Sequence, residues 1–153
     1  MSEIVIRAAV ADDWRTIAEF NCRLSEETES TTLDPTAIEP GVQRLLADPR
    51  KGRYFVACSD EQIIGQLMHT YEWSDWRNGE IWWLQSVYVH PDFRRQGVFR
   101  SLYEHLQNEA ESDPDVVGLR LYVERDNEHA HETYEKFGMK RPGYFVMQWL
   151  LSR

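Results

Sequence analysis

The run Ile81–Val89, IWWLQSVYV, limits the possible folds of this chain more than any other segment. Side chains of a strand alternate between the two faces of a sheet, and here both the odd and the even positions are largely apolar. Such a strand must be covered on both faces, so we expect it inside a sheet that has helices packed on each side. The polar pair Gln85–Ser86 interrupts the run and predicts a β-bulge.

Other segments alternate between helical and extended patterns, and we find no internal repeat or linker. The predicted strands are Glu3–Ala8, Tyr54–Cys58, Gln62–Tyr71, Glu80–Val89, Val116–Glu124 and Tyr144–Leu150. Helices are predicted after Ala11–Asp13, from Pro40 to about Ala47, from Val98 to about Ala110, and from Asn127 to Phe137, with a loop at Ser25–Pro40. This order predicts an α/β fold with a mixed sheet and helices on both faces.

Composition and charge exclude several classes of protein. A chain of 153 residues with 42% hydrophobic and 28% charged residues suits one folded domain and excludes collagen-like or disordered chains. No apolar run approaches the ~20 residues of a bilayer span, and the first residues lack a signal-peptide pattern, so we expect a cytoplasmic protein without a membrane partner. The net charge of −9 opposes binding to phosphate backbones, so we expect no nucleic-acid partner.

The histidines and cysteines do not predict a metal site. The two cysteines follow no metal-ligand spacing, and no activating neighbour suggests a covalent role for either. His129 and His131 are two residues apart on a predicted helix, so their rings point to different sides. We therefore expect no metal ion, and we expect His69 and His90 to have structural roles.

The segment after the central strand has the character of an anion-binding turn. It reads VYVHPDFRRQGVFRSLYEHL from Val87 to Leu106, a strand followed by a basic turn and an amphipathic helix. Exposed N–H groups at a helix N-terminus bind phosphate, and Gly97 would let the backbone approach it without an intervening Cβ. Arg94, Arg95 and Arg100 add positive charge. The same spacing also fits a plain strand-to-helix connection with solvated arginines.

A second pattern lies on the last predicted helix. Asn127, Ala130 and Tyr134 are spaced i, i+3 and i+7, so they share one helix face. A small residue between two polar ones leaves room for a ligand chain. Taken alone, Asn127 also fits a helix N-cap and Tyr134 a core tyrosine.

Together these segments resemble the GCN5-related N-acetyltransferase (GNAT) family. Arg94-x-x-Gly97-x-Phe99 is similar to that family's Arg/Gln-x-x-Gly-x-Gly/Ala motif, except that bulky Phe99 replaces a small residue, and Asn127–Gly138 is similar to the family's segment after the fifth strand. The resemblance implies a GNAT-like single domain, residues 1–153, with a mixed, mostly antiparallel central sheet of six or seven strands flanked by helices on both faces. It also implies acetyl-CoA as cosubstrate.

Site residues are implied by the same resemblance. Backbone groups of Val87–Val89 would pair with the pantetheine amides of acetyl-CoA, and the pyrophosphate would lie on the turn and the helix N-terminus. The implied acetyl-CoA contacts are Val87, Tyr88, Val89, Arg94, Arg95, Gln96, Gly97, Val98, Phe99, Arg100, Asn127 and Ala130. Tyr134 would be the catalytic acid that protonates the departing thiolate.

The general base and the acceptor are less defined. TYEWSDWRNGEIWWLQSVYV also resembles spermidine/spermine acetyltransferases, in which a glutamate stands where this chain has Gln85. Because an amide cannot accept the proton, the base would be Glu72, Asp75 or Glu80 through water, or bulk solvent. Acidic and tryptophan-containing loops could hold an ammonium group by charge and cation–π contact. The predicted acceptor contacts are Gln85, Glu72, Trp73, Asp75, Trp76 and Glu27.

The leading hypothesis is therefore an acetyl-CoA-dependent N-acetyltransferase that acts on a small primary amine such as a polyamine or diamine. Acetylation of a protein amine or of an aminoglycoside-type antibiotic is an alternative of the same class. Phe99 and Gln85 depart from the expected patterns, and they leave open a non-catalytic CoA-sensing or partner-binding module. Acetyl-CoA and the amine are the expected partners, and homodimer formation is left open.

Overall fold

The computed structural model describes residues 2–153. The strands are β1 (Val5–Ala8), β2 (Arg53–Ser59), β3 (Gln62–Ser74), β4 (Gly79–Val89) and β5 (Val116–Leu121). The helices are α1 (Trp14–Glu29), α2 (Pro35–Ala47), α3 (Val98–Ser112) and α4 (Glu128–Lys136). The chain forms two compact units. The residues up to Leu121 contain the sheet and helices α1 to α3, and residues 122–153 contain α4.

The sheet has the strand order β1-β2-β3-β4-β5. Neighbours from β1 to β4 are antiparallel, whereas β5 is parallel to β4, so the prediction of a mixed, mostly antiparallel sheet is confirmed. The apolar run of β4 lies inside the sheet, as expected. The prediction of six or seven strands is wrong, because the sheet contains five strands among residues 2–153.

The strand predicted at Tyr144–Leu150 accounts for the difference in strand number. Its apolar residues favour an extended conformation, but a strand exists only when its N–H and C=O groups pair with a neighbouring strand. The unit formed by residues 122–153 contains α4 and supplies no second strand with which this segment could pair.

Helices cover both faces of the sheet, as the apolar pattern of β4 predicts. On one face, α1 and α2 pack on β2 and β3 in a core that consists of Ile17, Ala18, Val42, Tyr54, Val56, Cys58 and Met68. On the other face, α3 lies so close to β3 that a Cβ atom at Gly65 would be 2.9 Å from Val98 and 3.4 Å from Leu102. Gly65 therefore permits the close approach of α3.

Helix bounds differ from the sequence prediction between Ser25 and Pro40. The predicted loop is partly helical, because α1 continues to Glu29 and α2 already begins at Pro35. The start of α2 has a local cause: the Asp34 carboxylate accepts a hydrogen bond from the Thr36 N–H at 2.9 Å, and proline suits the first helical position. The sequence prediction missed this N-cap, because the segment is rich in Thr and Glu and was therefore interpreted as a loop.

His69 is fully buried on the α3 face of the sheet. Its ring stacks on Trp82 with centroids 4.2 Å apart, and Arg53 Nε donates a hydrogen bond to His69 Nε2 at 3.1 Å. An accepting Nε2 places the ring proton on Nδ1, so the imidazole is neutral. Burial, aided by the nearby Arg53 charge, lowers the pKa of His69 to about 4.

Candidate functional site

The second half of β4 departs from the regular ladder on both of its edges. On the β3 side, Gln85 pairs with Met68 and Tyr88 pairs with Gln66, so two residues of β4 face one of β3. This bulge contains Ser86, whose φ of 53° is left-handed, and it confirms the bulge predicted at Gln85–Ser86. On the other side, the ladder with β5 ends at Leu84, five residues before β4 ends at Val89.

The turn before α3 presents backbone donors beside open space. Gly97 is the N-cap residue with a φ of 82°, and a Cβ atom added there would meet no atom within 4 Å. The first N–H groups of a helix have no intrahelical acceptor, so they are available to a ligand. Arg95 also has a left-handed φ of 64° and is exposed, whereas Arg100 pairs with Glu104 at 2.8 Å.

Glu27 links α1 to this turn. Its carboxylate accepts hydrogen bonds from the Tyr88 hydroxyl at 2.5 Å and from the Arg94 guanidinium at 2.8 Å, and Arg94 Nε donates to the Val89 carbonyl at 3.0 Å. Desolvation alone would raise the pKa of Glu27, but the hydrogen bonds from Tyr88 and Arg94 outweigh it and lower this pKa. Glu27 therefore stays ionised. Glu27 was predicted to contact the acceptor, and the structure places it against Tyr88 and Arg94.

A cavity of about 320 Å³ lies between α1, α2 and the sheet. It is lined by Asn21, Leu24, Ser25, Glu29, Leu33, Ile38, Gly41, Val42, Leu45, Tyr54, Met68 and Ser86. Ser86 belongs to the β4 bulge, so the cavity reaches the part of β4 that is not paired with β5.

Hydrogen bonds connect the polar residues at the sheet end of the cavity. Asn21 Nδ2 donates to the Tyr54 hydroxyl at 3.0 Å, and Gln66 Nε2 donates to Asn21 Oδ1 at 3.1 Å and to the Ser86 carbonyl at 3.0 Å. Sequence reasoning missed Asn21, Tyr54 and Gln66. The available signal was Asn21, a polar residue within the apolar stripe of α1.

Four of the predicted acceptor contacts lie at the other end of β4. Glu72, Trp73, Asp75 and Trp76 are close to Gly79, where β4 begins, roughly 30 Å along the strand from Val89. The structure brings none of these four together with the turn before α3.

Two of the three carboxylates proposed as bases, Glu72 and Glu80, have hydrogen-bond partners at that end, and Gln85 has a partner on the neighbouring strand β3. Glu72 accepts hydrogen bonds from Trp83 Nε1 at 2.9 Å and Arg120 at 2.8 Å, and Glu80 accepts one from Trp82 Nε1 at 2.8 Å. Gln85 Nε2 donates to the Thr70 hydroxyl at 2.8 Å.

The second unit holds the residues predicted on the last helix. Asn127 Oδ1 accepts a hydrogen bond from the Ala130 N–H at 3.1 Å, which makes Asn127 the N-cap of α4. Tyr134 lies two turns along the same helix, and the spacing keeps all three on one face.

Residues 2–153 contain neither a metal-ligand cluster nor a membrane-spanning helix. Within this range, no three His, Cys, Asp or Glu side chains converge as they would around a metal ion. The helices of the same range are too short or too polar to cross a bilayer.

Comparison with known proteins gives a family match and close structural relatives. The profile described as "Acetyltransferase (GNAT) family" matches residues 13–139. A crystal structure described as a possible acetyltransferase from Clostridium difficile 630 is 44% identical, with a TM-score of 0.92 over 98% of this chain and 99% of that chain.

Two further relatives are more distant. Thialysine N-epsilon-acetyltransferase from Caenorhabditis elegans is 31% identical over 81 residues, which are 53% of this chain and 49% of the relative, so the match spans about half the length of that protein. A predicted acetyltransferase from Clostridium acetobutylicum, crystallised with acetyl-CoA, is 18% identical with a TM-score of 0.79 over 95% of this chain and 96% of that chain. At that identity the likeness concerns the fold alone.

Proposed function

The chain belongs to the GNAT family of acetyltransferases, and we propose that it transfers the acetyl group of acetyl-CoA to a small primary amine. The observation that supports this proposal most is the geometry of β4 and α3. β4 runs five residues beyond its last pair with β5. The helix α3 begins at Val98, and its N-cap residue Gly97 has open space at the Cβ position. These two features match a ligand that has an extended chain with amides followed by a phosphate group. The amides would lie along β4, and the phosphate would lie at the N-terminus of α3.

Acetyl-CoA has this chemistry. The pantetheine amides would pair with the free edge of Val87–Val89, as an added strand would, and the pyrophosphate would accept hydrogen bonds from the N–H groups of residues 95–100. Open space at the Gly97 Cβ position fits a phosphate close to the backbone. Asn127 and Ala130 are proposed contacts through their family motif.

The proposed reaction needs few catalytic groups. The neutral amine attacks the thioester carbon directly, the C–S bond breaks, and the leaving thiolate takes a proton from the Tyr134 hydroxyl, a role that Tyr134 takes from the family motif. The amine loses a proton to water, and the Tyr134 phenolate takes one back from water. Solvent is the favoured base, since Gln85 cannot accept a proton and Glu72, Asp75 and Glu80 lie at the far end of β4.

The acceptor would enter the cavity between α1, α2 and the sheet, because Ser86 joins this cavity to the free edge of β4. A volume of about 320 Å³ suits a small molecule and favours a small amine over a protein or an aminoglycoside. The thialysine acetyltransferase relative supports the same class of acceptor. A cytoplasmic location stays a prediction from the sequence, which leaves homodimer formation open.

Release of free CoA thiol from acetyl-CoA, measured across a panel of amines, tests the proposal directly. We expect release that depends on both protein and amine, together with an acetylated amine identified by mass spectrometry. Tight acetyl-CoA binding without release for any amine would instead support a CoA-sensing module.

Gly97→Val is expected to weaken acetyl-CoA binding about tenfold, since a branched side chain would occupy the phosphate position and cost about 1.4 kcal/mol. Isothermal titration calorimetry measures the affinity. Gly143→Val is the matched control, because Gly143 also has a left-handed φ, 85°, and open space at its Cβ position. Equal affinities for the two variants would remove Gly97 from the site.

A further inference from the structure

We infer that the acceptor is a primary amine with an apolar body, such as an alkylamine or arylalkylamine, and not a polyamine. The inference rests on the proposed function, because it assigns the occupant of the cavity between α1, α2 and the sheet.

The walls of this cavity are apolar over most of their length. Its apolar lining residues are Leu24 of α1, Ile38, Val42 and Leu45 of α2, and Met68 of β3. An aliphatic or aromatic body placed here removes apolar surface from water, which favours binding by about 25 cal/mol per Å². A charged ammonium group against the same walls would lose its hydration without gaining a partner.

Polar groups gather at the sheet end, beside the bulge of β4, and they carry no charge. Tyr54 is buried, and this desolvation raises its pKa, so its phenol stays protonated despite hydrogen bonds with Asn21 and Ser86. Gln66 is fully buried, and its Oε1 atom has no hydrogen-bond partner among residues 2–153. Gln66 is not among the lining residues, but its amide donates to Asn21 and to the Ser86 carbonyl, which do line the cavity, so it orients both of them from behind the wall.

The distribution of carboxylates argues against a polyamine. Among residues 2–153, Glu29 at the end of α1 is the single carboxylate that lines the cavity. Glu27 is already neutralised by Arg94, and Glu72 by Arg120 at the far end of β4. A polyamine keeps one or more ammonium groups after its reacting nitrogen is deprotonated, and one exposed carboxylate does not hold several of them. The pattern fits a single reacting nitrogen on an apolar chain.

Steady-state comparison of hexylamine and phenethylamine with putrescine, spermidine and thialysine tests this inference. We expect kcat/KM at least about tenfold higher for the two apolar amines at a fixed concentration of free base. A polyamine or thialysine as the better substrate would overturn the inference and leave acetyl transfer intact. Amine binding is measured separately by calorimetry with CoA present. Hexylamine binding without thiol release would refute transfer and keep the preference, whereas absence of hexylamine binding would overturn the inference.

A substitution inside the cavity adds a second test. Gly41 lines the cavity within α2, and a Cβ atom there would meet nothing within 4 Å, so Gly41→Leu would narrow the space while favouring the helix. We expect KM for hexylamine to rise about tenfold with unchanged acetyl-CoA affinity. Gln43→Leu, on the exposed side of the same helix, is the control and should change neither. Equal KM values in the two variants would show that the amine body lies elsewhere.

Discussion

Tyr134→Phe is expected to lower kcat by about 100- to 10,000-fold, the range in which a positioned general acid contributes, while KM for acetyl-CoA changes little. The substitution removes one hydroxyl and keeps the ring, so binding contacts of the ring persist. A proton is needed chiefly when the C–S bond breaks, and its loss therefore falls on the transition state and not on ground-state binding. Initial-rate kinetics of thiol release, with the best amine of the panel, measures both constants.

Tyr71→Phe is the matched control, because it also removes one tyrosine hydroxyl. Tyr71 donates to the Pro49 carbonyl at 2.8 Å, and it pairs with Trp82 in the first half of β4, so its hydroxyl lies away from the turn before α3. We expect unchanged kcat in this variant. An equal fall of kcat in both variants would point to general destabilisation, and full activity of Tyr134→Phe would refute the acid role.

Features that depend on short stretches of sequence could be predicted. The apolar pattern of Ile81–Val89 placed this strand inside the sheet, and the polar pair Gln85–Ser86 located the bulge, because each signal lies within a few residues of its effect. The start of α3 at Val98 followed from a glycine that adopts a left-handed φ just before the helix. Backbone preference and burial pattern agree at these positions.

The cavity between α1, α2 and the sheet could not be predicted, because its residues come from segments that meet only after folding. Asn21, Tyr54 and Ser86 belong to α1, β2 and β4, and no local pattern links them. The sequence instead drew attention to Trp73 and Trp76, whose exposed rings and neighbouring carboxylates resemble an amine site. These residues precede β4, and the length of that strand separates them from the turn before α3.

The pairing of charged side chains could not be predicted from the sequence either. Arg94 and Glu27 were assigned to two different ligands from composition and motif, although they form an ion pair at 2.8 Å. Sixty-seven residues separate them in sequence, and only the packing of α1 beside β4 brings them together. A motif identifies a chemical group, and the tertiary structure decides which partner that group has.

Acidification from pH 7.5 to pH 5 is expected to lower the free energy of unfolding by about 2 kcal/mol through His69 alone. The pKa of His69 is about 4 in the folded protein, against an ordinary value of 6.5, so between these values the unfolded chain binds a proton that the folded protein does not. The contribution of His69 to the free energy of unfolding is therefore fully present above pH 6.5, and it is lost as the pH falls toward 4. Urea unfolding at several pH values measures this slope.

His69→Phe isolates this contribution from the other titrating groups. The aromatic ring keeps the stack on Trp82 but cannot bind a proton, so the variant has a lower stability at pH 7.5, where Arg53 loses its acceptor, and a smaller dependence on pH. Asp13 and Glu27 have lowered pKa values, and their loss of stability begins at more acidic pH in both proteins, so it cancels in the difference. His129→Gln, at an exposed position of α4, should keep the full slope. If His69→Phe keeps the full dependence of unfolding free energy on pH, the buried imidazole is not the group that couples protonation to unfolding. The site beside Trp82 would then accommodate the charged His69 ring at little cost.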